Sequence, residues 1–296
     1  MRRSGMSKFR DHLWLWGQDV MSHQMASWPN SQRGIYRNSW CIPDGNRMDP
    51  AAGARELNIP NVFRVVMSGK PVPPFDEETR KLADMSQVVW SAVGDEGSIR
   101  NNEQTDLPEV LRQAKLFSNV TGAVLDDFFR KPESGDQWAR WDIGTIRRMK
   151  EELHNASPNP LQFYVVWYKQ ALQWPVAEYL KEFDVITYWN LRSVIEQAEL
   201  KDDLRTMLEK TPGMRRMTGC YLWNYGGGKP LSVKELQYEC EIFYDMLMQG
   251  QTEGIIFCAN CVIDVGGPAI EWVKNWIAEH ADDPVEDQLK KTQCPE

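Results

Sequence analysis

Apolar runs of strand length recur along the whole chain, at 12–19, 61–68, 87–93, 120–126, 161–168, 183–189, 218–224 and 254–260. Each is rich in Val, Ile, Phe, Tyr or Trp, which suit a packed, pleated surface. Between them the apolar positions return every three or four residues, which predicts helices over 76–85, 107–117, 137–154, 174–182, 192–210, 232–249 and 269–280. The helix at 232–249 has the clearest start, because Ser232 with Glu235 three residues on forms a capping box. The first connection, 20–60, is long, and only 50–57 within it reads as helix.

Strict alternation of strand and helix argues for parallel strands, because parallel neighbours need crossover connections. The runs are nearly continuous in apolar character, as expected of strands covered on both faces. Eight such units predict an α/β fold, a single-domain (β/α)8 (TIM) barrel over 1–280 with a charged, loosely packed tail over 281–296. An open doubly wound sheet is the alternative, but the first strand is not followed by the Gly-x-Gly-x-x-Gly turn of that fold.

Composition narrows the function classes. The chain has 296 residues, 42 % hydrophobic and 26 % charged, which excludes wholesale disorder. Its net charge of −8 and its lack of any basic run longer than a dipeptide argue against a nucleic-acid partner. No window reaches the ~18 apolar residues of a membrane span. Residues 1–11 are polar and lack an apolar secretory core, so a cytoplasmic chain is expected, although a trimmed secreted chain reads the same. The six cysteines are irregularly spaced, unlike a disulfide framework. Cys258 and Cys261 form a C-x-x-C, but it lies in an apolar run with no histidine near, so both are read as small buried hydrophobes. The oligomeric state is left open.

In a barrel of this type the chemistry sits at the C-terminal strand ends. There the sequence places Asp19, Asp95, Glu96, the pair Asp126-Asp127, Trp167-Tyr168, Tyr188-Trp189-Asn190 and Trp223-Asn224-Tyr225. Trp16 and Trp90 bring the tryptophans at or near the rim to five of thirteen, with Trp14 and Trp90 free to face the helices instead. Aromatic faces pack on the C–H faces of sugar rings, while Asp, Asn and Gln bind hydroxyls. Trp167, Tyr168, Tyr188, Trp189, Trp223 and Tyr225 are therefore candidate sugar platforms, with Asp19, Asn190 and Asn224 as hydroxyl ligands.

The acidic pair is the sharpest feature, since a charge ending a buried strand is costly unless it sits in a site. Strand side chains alternate, so Gly122, Val124, Asp126 and Phe128 share one face. Small residues suit the crowded interior, so Asp126 is expected to point inward, with Asp127 bending over the loop or binding a backbone N–H. Asp95 and Glu96, on the neighbouring strand, are expected within a few ångströms. A close like-charge pair raises one pKa and makes that residue a candidate general acid.

The segment Gly122-Ala-Val-Leu-Asp126-Asp127-Phe-Phe, with tryptophans at several other strand ends, resembles the glycoside-hydrolase (β/α)8 barrels. That resemblance implies hydrolysis of a glycosidic bond by carboxylates at the strand ends, a small-molecule or oligosaccharide substrate and no cofactor. Strand seven, where the large retaining clan of these enzymes has a carboxylate, ends here in Trp223-Asn224-Tyr225, so the stereochemical course stays open. Two other enzyme readings stand beside it. A phosphosugar isomerase or lyase would use the glycines 226–228 with Lys229, and Gly266-Gly267. A metal enzyme would have to use Asp95, Asp126 and Asp127, because there are only four histidines and His23 alone is near the rim. No metal is expected. A non-catalytic carbohydrate-binding barrel is the remaining alternative.

Overall fold

A computed structural model describes residues 6–30, 34–132, 134–191 and 197–286. Eight strands form the barrel: β1 (Leu13–Gly17), β2 (Asn61–Arg64), β3 (Gln87–Val93), β4 (Val120–Leu125), β5 (Gln162–Tyr168), β6 (Val185–Trp189), β7 (Arg215–Tyr221) and β8 (Ile255–Cys258). Each pairs in parallel with the next, and β8 pairs with β1 to close the ring. The helices alternating with them are α1 (Pro50–Glu56), α2 (Asp76–Lys81), α3 (Leu107–Leu116), α4 (Ile143–His154), α5 (Ala177–Leu180), α6 (Gln197–Lys210), α7 (Val233–Met248) and α8 (Pro268–His280). The (β/α)8 barrel is the predicted fold.

Several boundaries differ from the hydropathy reading. α4 starts at Ile143 rather than 137, because the Asp142 carboxylate caps it by accepting from Thr145 N–H at 3.0 Å. β2 stops at Arg64, and the chain then folds into a tight Met67–Lys70 turn with Ser68 at φ 51°. β7 runs three residues earlier than the apolar run 218–224, because Asn224 leaves the ladder to pair with Lys229 in a turn. The long first connection holds a one-turn helix, Ser22–Met25, and an antiparallel ribbon of Ser27–Asn30 with Gly34–Arg37, elements too short for a periodicity to reveal. The helix expected over 192–210 is described from Gln197, and 192–196 lie outside the described residues.

The first residues of the expected loose tail are packed. Pro284–Val285 pairs with Ser7–Lys8, and Asp283 accepts from the Tyr244 hydroxyl at 2.7 Å. Residues 287–296, including Cys294, lie outside the described residues. Cys258 and Cys261 are buried, as expected of small hydrophobes in an apolar run.

Large aromatics fill the barrel. Trp14, which the sequence left free to face the helices, packs inside at the N-terminal end, 4.9 Å from Phe63, which is 5.2 Å from Tyr164. Gly122 lies opposite Tyr164, where an added Cβ would sit 2.8 Å from the ring. One layer up, Trp16 meets Trp189 at 5.1 Å, and Gly219 makes room for the Trp189 indole. Trp90 points outward, stacks on Phe75 at 4.2 Å and donates its Nε1–H to Thr79 Oγ1 on α2.

Candidate active site

A cavity of about 720 Å³ opens at the C-terminal end of the barrel, lined by both acidic strand ends and by aromatics from β1, β5, β6, β7 and their loops. Its acidic wall is built from β3 and β4. β4 ends at Leu125, and the Asp126 N–H donates to Val93 O at 2.9 Å, so Asp126 continues the strand and its side chain enters the cavity. Asp127 adopts the left-handed region with φ 41°, which Asp tolerates better than most residues. The alternation of the strand breaks there, and Asp127 lines the cavity beside Asp126. The same break turns Phe128 away from the face it was expected to share. It packs against Phe183 and Tyr179, and Phe129 lines the cavity instead.

The acids hold one another in place. Asp127 N–H donates to Asp126 Oδ1, and Glu96 N–H donates to Asp127 Oδ2, both at 2.9 Å. Asp95 Oδ1 accepts from Ser68 N–H at 2.8 Å and from the Ser98 hydroxyl at 2.5 Å, while its buried Oδ2 has no partner. Burial, then the charges of Asp127 and Asp95, hold the Asp126 carboxyl well above the usual carboxylate range. Burial also raises Asp95. The cation behind this wall is Arg140, a residue the sequence reading placed inside a helix. Its guanidinium donates to the carbonyls of Gly94 at 2.7 Å and Asp95 at 3.1 Å and to Asn102 Oδ1 at 3.1 Å, which fixes the loop that carries Asp95 and Glu96.

Tyr168, at the end of β5, faces the same space, with Asp127 beside its hydroxyl. Burial, followed by Asp127 and Asp126, pushes its hydroxyl well above the ordinary phenol value, so it stays a donor. Trp16, Trp189, Tyr221 and Tyr225 complete an aromatic floor and far wall. Tyr221 was passed over because the strand was read three residues too late. Its position as the last residue of β7 is what aims it at the mouth.

Seven expected residues, Asp95, Glu96, Asp126, Asp127, Tyr168, Trp189 and Tyr225, therefore come together around one cavity. Six do not. Asp19 is ion-paired with Arg64, which also binds Glu78 at 2.9 Å. Trp167 and Tyr188 fall on the outward phase of β5 and β6, where their rings lie 6.4 Å apart and Trp167 Nε1–H donates to Ala171 O. Asn190 donates to Asp203 Oδ2 on α6 at 3.3 Å. Trp223 donates to the carbonyl of Trp40 at 2.9 Å and so braces a cavity wall from behind. Asn224 Oδ1 accepts from Gly227 N–H at 2.6 Å and closes the turn. The glycines 226–228, Lys229, Gly266 and Gly267 do not line the cavity, which removes the phosphate cradle the phosphosugar reading needs. Among the described residues no group of three or more His, Cys, Asp or Glu is placed to hold a metal ion. No helix of the described residues is long and apolar enough to cross a membrane.

No protein-family model matches the chain. No curated protein matches it. Solved structures do. A protein assigned as an alpha-L-fucosidase from Bacteroides thetaiotaomicron is 10 % identical with TM-score 0.54, over 95 % of this chain and 99 % of that one. A protein assigned as a 2-pyrone-4,6-dicarboxylic acid hydrolase from Acinetobacter baumannii is 12 % identical with TM-score 0.52, over 90 % and 91 %. The PgaB glycoside hydrolase domain from Bordetella bronchiseptica is 12 % identical with TM-score 0.48, over 89 % and 98 %. At such identities the likeness is one of fold, and the first two establish it: the chain folds as a (β/α)8 barrel.

Proposed function

We propose that the protein hydrolyses glycosidic bonds, with Asp126 as the proton donor. The observation that carries this reading is the state of Asp126. It is a buried carboxyl whose burial and aspartate neighbours keep it protonated above the usual range, and it faces a cavity walled by Trp16, Trp189, Tyr168 and Tyr221. A neutral carboxyl next to the leaving-group oxygen is what acid-catalysed departure of an alcohol requires. The aromatic floor gives sugar C–H faces a packing surface.

Asp127 is the second carboxyl. A hydrogen bond from Glu96 N–H orients it, beside Tyr168, toward charge that develops at the anomeric carbon or toward an attacking water. A panel of aryl glycosides and natural oligosaccharides, assayed with wild type and Asp126→Asn, tests the reading. Turnover lost with binding retained supports a hydrolase. Binding by both proteins with turnover by neither supports the carbohydrate-binding barrel.

A further inference from the structure

The wall facing the acids contains a histidine that nothing so far uses. His23 sits in the one-turn helix Ser22–Met25 and is only 4 % exposed, yet it lines the cavity. Its Nδ1 lies 2.8 Å from the Tyr225 hydroxyl, and Cys258 at the end of β8 stands beside that hydroxyl. Trp40 and Tyr225 close edge-on around the imidazole at 4.9 and 5.1 Å. Strand β8 stands four places from β4 in the ring, so this corner lies across the mouth from Asp126.

Among the described residues no hydrogen bond is formed at Nε2, and it is not one of the buried atoms left without a partner, so it is open to the cavity. We infer that His23 Nε2 is a specificity-determining contact, donating its N–H to an uncharged hydroxyl on the sugar that Trp40 and Tyr225 flank. The assignment rests on the glycosidase reading for its substrate class, and on geometry alone for the ring's orientation. Of the two acceptors beside the phenol, the imidazole nitrogen is stronger than the thiol sulfur. Tyr225 therefore donates to Nδ1, and the proton of the neutral ring sits on Nε2. Burial lowers the His23 pKa to about 3, so the ring is neutral across the working range and attracts no anion. Tyr225 is a positioning residue: it sets which nitrogen faces the ligand.

Two measurements test this. The first needs no substrate. Nitrogen-15 imidazole spectra of the full chain are expected to show His23 as the Nε2–H tautomer, and Tyr225→Phe to give a mixture. An Nδ1–H tautomer unchanged by Tyr225→Phe overturns the assignment while leaving the glycosidase reading untouched. The second uses the glycoside that wild type hydrolyses best, together with its monodeoxy analogues. One analogue is expected to lose about tenfold or more in kcat/KM with wild type, as for a lost hydrogen bond of roughly 1–1.5 kcal/mol. It should lose nothing with His23→Ala, and His23→Gln, which keeps a donor near Nε2, should restore part of the penalty. Equal penalties in wild type and His23→Ala for every analogue overturn it. If no glycoside is turned over while the Nε2–H tautomer is found, the glycosidase reading falls and the ring assignment stands.

Discussion

The backbone N–H of Asp127 donates to Oδ1 of Asp126 at 2.9 Å, so two carboxyls adjacent in sequence are tied together at the barrel mouth. Only the left-handed backbone of Asp127 allows both to face the cavity. The pair has a consequence for stability. The folded-state pKa of Asp126 is raised, so the native state holds this proton more tightly than the unfolded chain. The contribution is most favourable below the unfolded carboxyl value of about 3.9, and declines as pH rises from there through the folded value. Asp126→Asn keeps the acceptor for Asp127 N–H and removes the titration. The variant should be more stable than wild type at pH 7 in urea unfolding, with the difference vanishing near pH 4. A difference that grows toward acid contradicts the raised pKa.

Arg140 is expected to matter through both the loop and the acid. Arg140→Met leaves the buried carbonyl of Gly94 without its donor, at about 1–3 kcal/mol, while the Asp95 carbonyl keeps its hydrogen bond from Ser98 N–H. Because Arg140 also pulls the Asp126 pKa down, its removal should move the alkaline limb of kcat/KM to higher pH. Urea unfolding and a pH–rate profile read the two effects separately.

Gly219 on β7 holds the Trp189 ring in place by having no side chain. A Cβ there would lie 2.0 Å from the indole, so Gly219→Ala must displace Trp189. The expected cost is about 1–3 kcal/mol, the range for overpacking a filled interior. Thermal unfolding measures it, and near-ultraviolet circular dichroism should report the displaced tryptophan.

Trp189 and Trp223 separate floor from scaffold. Trp189→Ala should raise KM by about tenfold, in line with the loss of one aromatic contact of ~1 kcal/mol or more. Trp223→Phe removes the N–H that braces the Trp40 carbonyl and shrinks a buried ring that does not line the cavity, so its effect on KM should be within about threefold, with a loss of stability of ~1 kcal/mol or more. Equal KM effects would put both indoles in one role.

The legible part of the fold was the part written as period and length. Gln87–Val93 stands where its apolar run placed it, and the Ser232–Glu235 capping box starts α7. Asp126, Asp127, Asp95 and Glu96 were legible for a related reason: charge at the end of a buried strand has to face a mouth. Which aromatics face that mouth depends on a phase of one residue. Trp167 and Trp189 look equivalent in sequence, but β5 turns the first toward the helices and β6 turns the second inward. Arg140 carried no local signal of a role, and His23 was marked only by its place near the rim. One lies in a segment whose spacing imitates a helix turn, and the other in a connection whose path is set by contacts with Trp40 and Tyr225.

The most direct test of the account is the dependence of hydrolysis on the leaving group. Rates of wild type and Asp126→Asn are measured on glycosides of one sugar with leaving groups from acidic phenols to aliphatic alcohols. Proton donation by Asp126 gives a loss of about 10²–10⁴-fold on the alcohol glycosides that shrinks toward the acidic phenols, which depart without help. A loss independent of the leaving group, or unchanged rates on every glycoside, contradicts Asp126 as the acid.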